Sequence, residues 1–170
     1  MTISVRQLQA EEWQLLKQLR LRALAEAPDA FSPRFEDNQD HPDSYWQTWA
    51  TRVAKPYSRI FVGNATTVSS EAPLGLISAE RSRDGVGHLG AFWTDPRTRG
   101  TGLGSALFDA AMHWLEAAGC RHLELSVTEG NGYAEAMYAR RGFARDGRVE
   151  PLRDGSTLRN IFMVKQQLNG

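Results

Sequence analysis

At 170 residues the chain has the length of one ordinary domain, enough to bury a hydrophobic core without disulfides or metals. Lysine plus arginine number 20 and aspartate plus glutamate number 20, so no net field gathers nucleic acid or an anionic membrane surface. The lone Cys120 cannot form an internal disulfide, the N-terminus lacks the basic-then-apolar pattern of a signal peptide, and no uncharged apolar run reaches the roughly 18 to 20 residues that cross a bilayer. A soluble protein of the reducing cytoplasm is expected.

No internal repeat, low-complexity tract or long linker divides the sequence, so 1–170 reads as a single domain. After an apolar start at Ile3 and Val5, the residues Trp13, Leu16, Leu19, Leu24 and Ala27 recur at helical spacing before Pro28 closes the segment. Pro28 to Pro42 reads as a loop, and Tyr45, Trp46, Trp49 and Val53 suggest a second helix ending before Pro56. Ile60 to Val62, Leu74 to Ala79 and Leu89 to Trp93 are short apolar runs separated by turn residues, the pattern of three hairpin-connected antiparallel strands. Leu103, Ala106, Leu107, Ala110, Ala111, Trp114, Leu115 and Ala118 predict an amphipathic helix stopped by Gly119. Leu123, Leu125 and Val127 alternate with Glu124, Ser126 and Thr128, predicting a strand; a helix over Tyr133 to Arg141 and strands near Phe143 to Val149 and Thr157 to Lys165 complete the chain. The whole reads as an α/β (α+β) domain with a mixed, mostly antiparallel sheet of six to seven strands flanked by about four helices.

The chemistry-bearing segment is Thr94-Asp-Pro-Arg-Thr-Arg-Gly-Thr-Gly-Leu-Gly-Ser105, set between a strand and the amphipathic helix. Glycines at 100, 102 and 104 leave backbone N–H groups unshielded, and the helix that follows adds its own unpaired N–H groups and its positive dipole end. Such a turn binds phosphate, and a pyrophosphate is the natural guest. The dipole contributes about 0.3 to 1 kcal/mol when exposed, so Arg97 and Arg99 are expected to add positive charge. A Walker loop is excluded because no lysine follows Gly104, and the G-x-G-x-x-G dinucleotide fingerprint is excluded because Ser105 stands after Gly104 where that motif places its next conserved small residue. A tight strand-to-helix turn with no ligand remains the plainer reading.

Arg99-Gly-Thr-Gly102-Leu-Gly104 resembles the Arg/Gln-x-x-Gly-x-Gly/Ala signature of GNAT acetyltransferases, and it is preceded by an apolar strand and Asp95-Pro96. Downstream, Asn131, Ala134, Tyr138 and Gly142-Phe143 are similar to the family's Asn-x-x-Ala-x-x-x-Tyr-x-x-x-Gly-Phe run. The resemblance implies an acetyl-CoA-dependent N-acetyltransferase that moves an acetyl group to a primary amine by direct attack in a ternary complex, with no metal. It implies that the backbone from Arg99 through Gly100, Thr101, Gly102, Leu103 and Gly104 to Ser105 holds the CoA pyrophosphate. By the same resemblance Phe92, Trp93 and Thr94 bond the pantetheine arm, and two splayed strands admit thioester and amine from opposite sides. Asn131 and Ala134 would also contact the cofactor, although Asn131 equally suits a turn or a helix cap.

Acetyl transfer needs a neutral amine, a polarised thioester carbonyl and a proton for the leaving thiolate. Tyr138 is the family's proton donor by position, and a phenol with an unperturbed pKa near 10 stays protonated at neutral pH; packing in the core is its other reading. A strand amide near Trp93 could polarise the carbonyl. Some family members carry a glutamate on the strand before the glycine loop, but His88-Leu-Gly-Ala-Phe-Trp-Thr94 has no carboxylate, which leaves Glu80 or His88 as candidates for the base. His41, His113 and His122 lack metal-ligand spacing. Phe31, Phe35 and Trp46, with Tyr45, either wall an amine site or fill the core. Glu150 and Asp154, in the loop before the last strand, could attract a cationic amine. The acceptor is a small-molecule or peptide amine, a homodimer stays open, and the competing reading is a CoA-binding sensor or scaffold without turnover.

Overall fold

The computed structural model describes residues 2–66, 70 and 72–166. Strands β1 (Ile3–Gln7), β2 (Ser58–Ala65), β3 (Gly75–Arg81), β4 (Val86–Thr94), β5 (His122–Thr128), β6 (Ala144–Pro151) and β7 (Arg159–Gln166) form one seven-stranded sheet in the order β1-β2-β3-β4-β5-β7-β6. Every neighbouring pair is antiparallel except β4 and β5, which run parallel through the crossover helix between them. The helices are α1 (Trp13–Glu26), α2 (Phe35–Asn38), α3 (Asp43–Thr51), α4 (Leu103–Ala117) and α5 (Gly132–Arg140). None among the described residues is long and apolar enough to cross a membrane.

Strand alternation sorts the apolar residues into two cores. On β2, Ile60 and Val62 face one side and Phe61 the other, and on β3 Leu76 and Ile77 divide in the same way. The side of Ile60, Val62, Leu76 and Trp93 is covered by α1 and α3 through Leu16, Leu19, Leu24 and Trp46. The side of Phe61, Ile77 and Leu123 is covered by α4 and α5 through Leu107, Phe108, Leu115 and Met137. A leucine buried this fully stabilises the fold by about 1.5 to 3 kcal/mol, so the stripe on α4 sets the position of that helix against the sheet.

The termini of α4 are written in glycine. Gly102 has φ +93° and accepts the first helical hydrogen bond, from Ala106 N–H at 3.0 Å, while Gly119 has φ +88° and Cys120 N–H closes back on the Leu115 carbonyl at 3.0 Å. The apolar start at Ile3 and Val5 becomes strand β1, paired along β2, and the stretch read as a loop from Pro28 to Pro42 holds the single helical turn α2. Most expected strands are longer in the fold, as Ile60 to Val62 within Ser58–Ala65 shows, because backbone pairing carries a strand past its apolar run; the last, expected over Thr157 to Lys165, runs instead over Arg159–Gln166.

Candidate active site

The turn between β4 and α4 is built around Asp95, whose side chain is 3% exposed. Its carboxylate accepts the backbone N–H of Arg97 at 2.9 Å and the Arg97 side chain at 2.9 and 2.8 Å, and it also pairs with Arg22 on α1. The Arg97 bond, above all, holds the Asp95 carboxyl well below the usual carboxylate range. Thr98 Oγ1 donates to the Asp95 carbonyl at 2.8 Å and Thr101 Oγ1 to the Thr98 carbonyl at 2.5 Å, tying off the turn. The N–H groups of Gly100, Gly102, Gly104 and Ser105 have no backbone or side-chain acceptor among the described residues, so a row of donors points outward at the positive end of α4. A Cβ on Gly104 would stand 3.4 Å from the tip of the Phe92 ring, which keeps that position open. These unpaired donors fit a pyrophosphate. Arg97 and Arg99, read from the sequence as added positive charge, each already face a carboxylate: Arg97 faces Asp95, and Arg99 donates to Glu26 at 2.8 Å. Glu26 also accepts Trp93 Nε1 at 2.9 Å, so α1 braces the turn through both arginines' partners and Trp93.

Strands β4 and β5 pair only at Val86 with His122, Gly87 with Leu123 and His88 with Glu124. Beyond His88 the edge of β4 that faces β5 has no partner strand among the described residues. A bulge marks the same stretch: between Leu76 and Ser78 on β3 the register slips, leaving Ala91 and Phe92 opposite Ile77. Ala91 takes φ +50°, a left-handed conformation that costs a non-glycine residue about 1 to 2 kcal/mol and that persists where surrounding structure imposes it. The opening holds a cavity of about 190 Å³ lined by Phe31, Leu89, Phe92, Ser126, Tyr138 and Asn160, among others, and by Arg20.

Tyr138 is 8% exposed, at 5.3 Å from Phe108 and 6.5 Å from Phe143 between ring centroids. Burial alone pushes its hydroxyl up to about 12, with no hydrogen bond contributing, so the proton stays on the oxygen. Glu80 sits in a larger cavity of about 690 Å³ that adjoins the first at Arg20 and Pro33, and its carboxylate lies 3.7 Å from Arg52. His88 sits at the closed end of the β4–β5 pair, where Nδ1 lies 3.2 Å from Glu124. Asn131 caps α5, its side-chain oxygen accepting Ala134 N–H at 3.3 Å. Ala134 packs at the edge of the core under α4. Of the aromatic residues offered as an acceptor wall, Phe31 lines the cleft, whereas Phe35 packs against the core under α1 and Trp46 is 0% exposed within it. On α3 it is Tyr45 and Trp49 that face the larger cavity.

The sequence reading misses Arg20. It is 8% exposed, lines both cavities, and makes cation–π contacts with Phe31 and Trp49, its guanidinium carbon 4.8 and 5.8 Å from their centroids. Burial pulls its pKa down to about 10 against the opposing influence of Tyr45, and among the described residues its Nη1 has no hydrogen-bond partner. A buried polar group left this way costs about 1 to 3 kcal/mol, and more when charged. The available signal was its spacing: Arg20 falls four residues after Leu16 and four before Leu24, on the buried face of α1. Arg153, in the loop before β7, fixes the wall opposite by donating to the carbonyls of Pro28 at 2.7 Å, Phe31 at 2.8 Å and Ser32 at 3.1 Å.

The acetyltransferase (GNAT) family model matches residues 15–143. The mycothiol acetyltransferase of Saccharopolyspora erythraea is 36% identical over 77 residues, which cover 45% of this chain and 25% of that protein, so the chain spans about a quarter of the relative's length. An acetyltransferase of the GNAT family from Streptococcus pneumoniae has the same fold at TM-score 0.80 and 20% identity, over 97% of this chain and 99% of that one. An N-acetyltransferase from Thermoplasma acidophilum, solved in complex with coenzyme A, matches at TM-score 0.66 and 16% identity over 98% of this chain and 99% of that one. With the sheet, the cleft and the glycine turn in place and the family model running from residue 15 to residue 143, the chain belongs to the acetyltransferase (GNAT) family.

Proposed function

We propose that the chain, as one N-acetyltransferase domain over 1–170, uses acetyl-CoA to acetylate a primary amine, small-molecule or peptide, by direct attack in a ternary complex in the cytoplasm. The observation that carries this reading is the meeting, in one opening between β4 and β5, of a buried and protonated Tyr138 with the unpaired edge of β4, beside a turn of unpaired N–H donors. Acetyl-CoA supplies an acyl group activated as a thioester. The N–H groups of the Arg99–Ser105 turn hold the pyrophosphate, the backbone of Phe92, Trp93 and Thr94 bonds the amide-rich arm, and Ala134 packs beside it. Asn131 keeps its oxygen on the α5 cap and offers its amide N–H groups to the same ligand. A β4 amide near Trp93 polarises the carbonyl. Tyr138 Oη gives its proton to the departing sulfur. For the base, geometry favours Glu80 over His88, because Glu80 lines the cavity that adjoins the cleft while His88 lies at the closed end beside Glu124; the amine's proton reaches Glu80 through water.

The cleft around Tyr138 has no carboxylate in its lining, and that favours one other reading, a CoA-binding sensor without turnover. One experiment separates them. At 100 times its dissociation constant, acetyl-CoA stabilises the fold by about 2.7 kcal/mol, and pantetheine lacking the pyrophosphate does far less. A broad amine panel then releases free thiol from acetyl-CoA if the chain is an enzyme. Tight binding with no thiol release from any amine selects the sensor, and equal stabilisation by both ligands removes the role of the glycine turn.

A further inference from the structure

Within the larger cavity the charges just after α3 and on β3 answer one another, Arg52 standing 3.7 Å from Glu80. Arg20, at the junction of the two cavities, has no such partner: Nη1 makes no hydrogen bond to any described residue and no carboxylate acts on the guanidinium. Phe31 and Trp49 hold it by cation–π contact at 4.8 and 5.8 Å, an interaction that spends none of the hydrogen-bond donors of its fork. We propose that the acceptor is a small amino carboxylate, its carboxylate held by Arg20 where the cavities meet and its amine directed into the cleft lined by Tyr138. The inference rests on the acetyltransferase reading and deepens it by naming the class of amine.

Several observations narrow the class. A planar fork matches a carboxylate with two parallel hydrogen bonds, which orient the ligand as well as bind it. A phosphate would draw on more than one cation, and the other guanidinium lining the larger cavity, that of Arg52, already faces Glu80. Arg20 and Tyr138 line the same cleft of about 190 Å³, so a carboxylate on the one and an amine beside the other stand only a few bonds apart, and the rest of the acceptor extends into the cavity of about 690 Å³ past Tyr45 and Trp49. In the transfer the nitrogen lone pair forms the new bond to the acyl carbon and the carbon–sulfur bond breaks. One proton leaves the nitrogen for Glu80 through water, and Tyr138 gives one to the sulfur.

The test is calorimetric titration of the CoA-loaded protein with the free L-amino acids and, in parallel, with the same compounds as C-terminal carboxamides. The expected result is that at least one free acid binds about 10²-fold more tightly than its own amide, and that Arg20→Met erases the difference. The wild-type comparison stands even if the variant fails to fold. Equal binding of acids and amides, no binding of any acid, or a folded Arg20→Met protein that keeps the preference would each overturn the proposal. Thiol release in the same mixtures separates the two levels of the argument. Acid-selective binding without thiol release upholds the Arg20 site and removes the acetyltransferase reading, whereas turnover confined to amines without a carboxylate keeps that reading and removes the Arg20 site.

Discussion

The two halves of the candidate site are made of different atoms. On the side of α4, the turn from Arg97 to Ser105 presents backbone: its donors are N–H groups freed by glycine and by the first turn of a helix, and the side chains of Arg97, Arg99 and Thr101 are occupied with Asp95, Glu26 and the Thr98 carbonyl. On the side of α1 and α3, the cavity presents side chains, Arg20, Tyr45, Trp49 and Glu80, contributed by three elements. A backbone site comes from one contiguous segment and is rigid because its hydrogen bonds are local. A side-chain site assembles only when distant helices dock, and it can change its ligand by single substitutions while the fold stays as it is. On the proposed function, coenzyme recognition and acceptor choice thus fall on separate parts of this molecule.

Substitutions on each side should therefore fail differently. Gly102→Val acts on the backbone half and has the largest expected effect. A β-branched residue at φ +93° is strained by about 1 to 2 kcal/mol or more, and its Cβ would lie 3.2 Å from Ile3 Cδ1. Thermal unfolding with and without acetyl-CoA should show a lower midpoint for the variant and loss of most of the roughly 2.7 kcal/mol that saturating ligand adds to the wild type. A variant that keeps the full ligand shift would separate the glycine turn from coenzyme binding.

Tyr138→Phe tests the point where the halves meet. The ring contacts with Phe108 and Phe143 persist and the hydroxyl makes no hydrogen bond that shifts its titration, so the midpoint near neutral pH should barely move while kcat falls by about 10²-fold. Stability against pH supplies an independent check. With the folded pKa raised to about 12 against an unperturbed value near 10, the native state binds the proton more tightly, so wild-type stability is intact below pH 10 and declines as the pH climbs from 10 through 12. The shift corresponds to about 2 to 3 kcal/mol, a decline that the phenylalanine variant should lack. Unchanged kcat would leave Tyr138 a packing residue only.

The smallest expected effect is that of Asp95→Asn, which keeps the shape of the turn and removes its charge. The arginines it pairs with are half exposed, so the loss at neutral pH should be about 1 kcal/mol by denaturant unfolding. Because the folded carboxyl titrates below its ordinary range, its contribution is present above that range and lost as the pH falls, and the gap between wild type and variant should close in acid. A gap that stays constant down to strongly acidic pH would show that the charge of Asp95 does not hold the turn.

What could be read in advance follows the same division. The stripe on α4 and the glycines at 100, 102 and 104 are local patterns, and helix, turn and N–H donors all appear where those patterns lie. Asn131 is legible as a cap for the same reason. The aromatic residues on α3 are not: Tyr45, Trp46 and Trp49 sit within one turn, and only the docking of α3 on α1 decides that Trp46 is the one sealed in the core while the other two face the cavity. The bulge offers no cue either, since the positive φ falls on Ala91 although Gly90 stands beside it and would take that conformation at no cost.

The sequence by itself determined the order of the main elements, the seven strands within one of their number, the glycine turn before α4 and the family, because periodicity and backbone freedom are properties of neighbouring residues. Only the tertiary structure decided where β4 leaves β5, that Glu80 lines the larger cavity while His88 stands beside Glu124, and that Arg20 is buried near aromatic rings with no counter-ion among the described residues. Those depend on which surfaces meet across the sheet, and burial, charge pairing and proton affinity are fixed by that meeting rather than by the residues on either side along the chain.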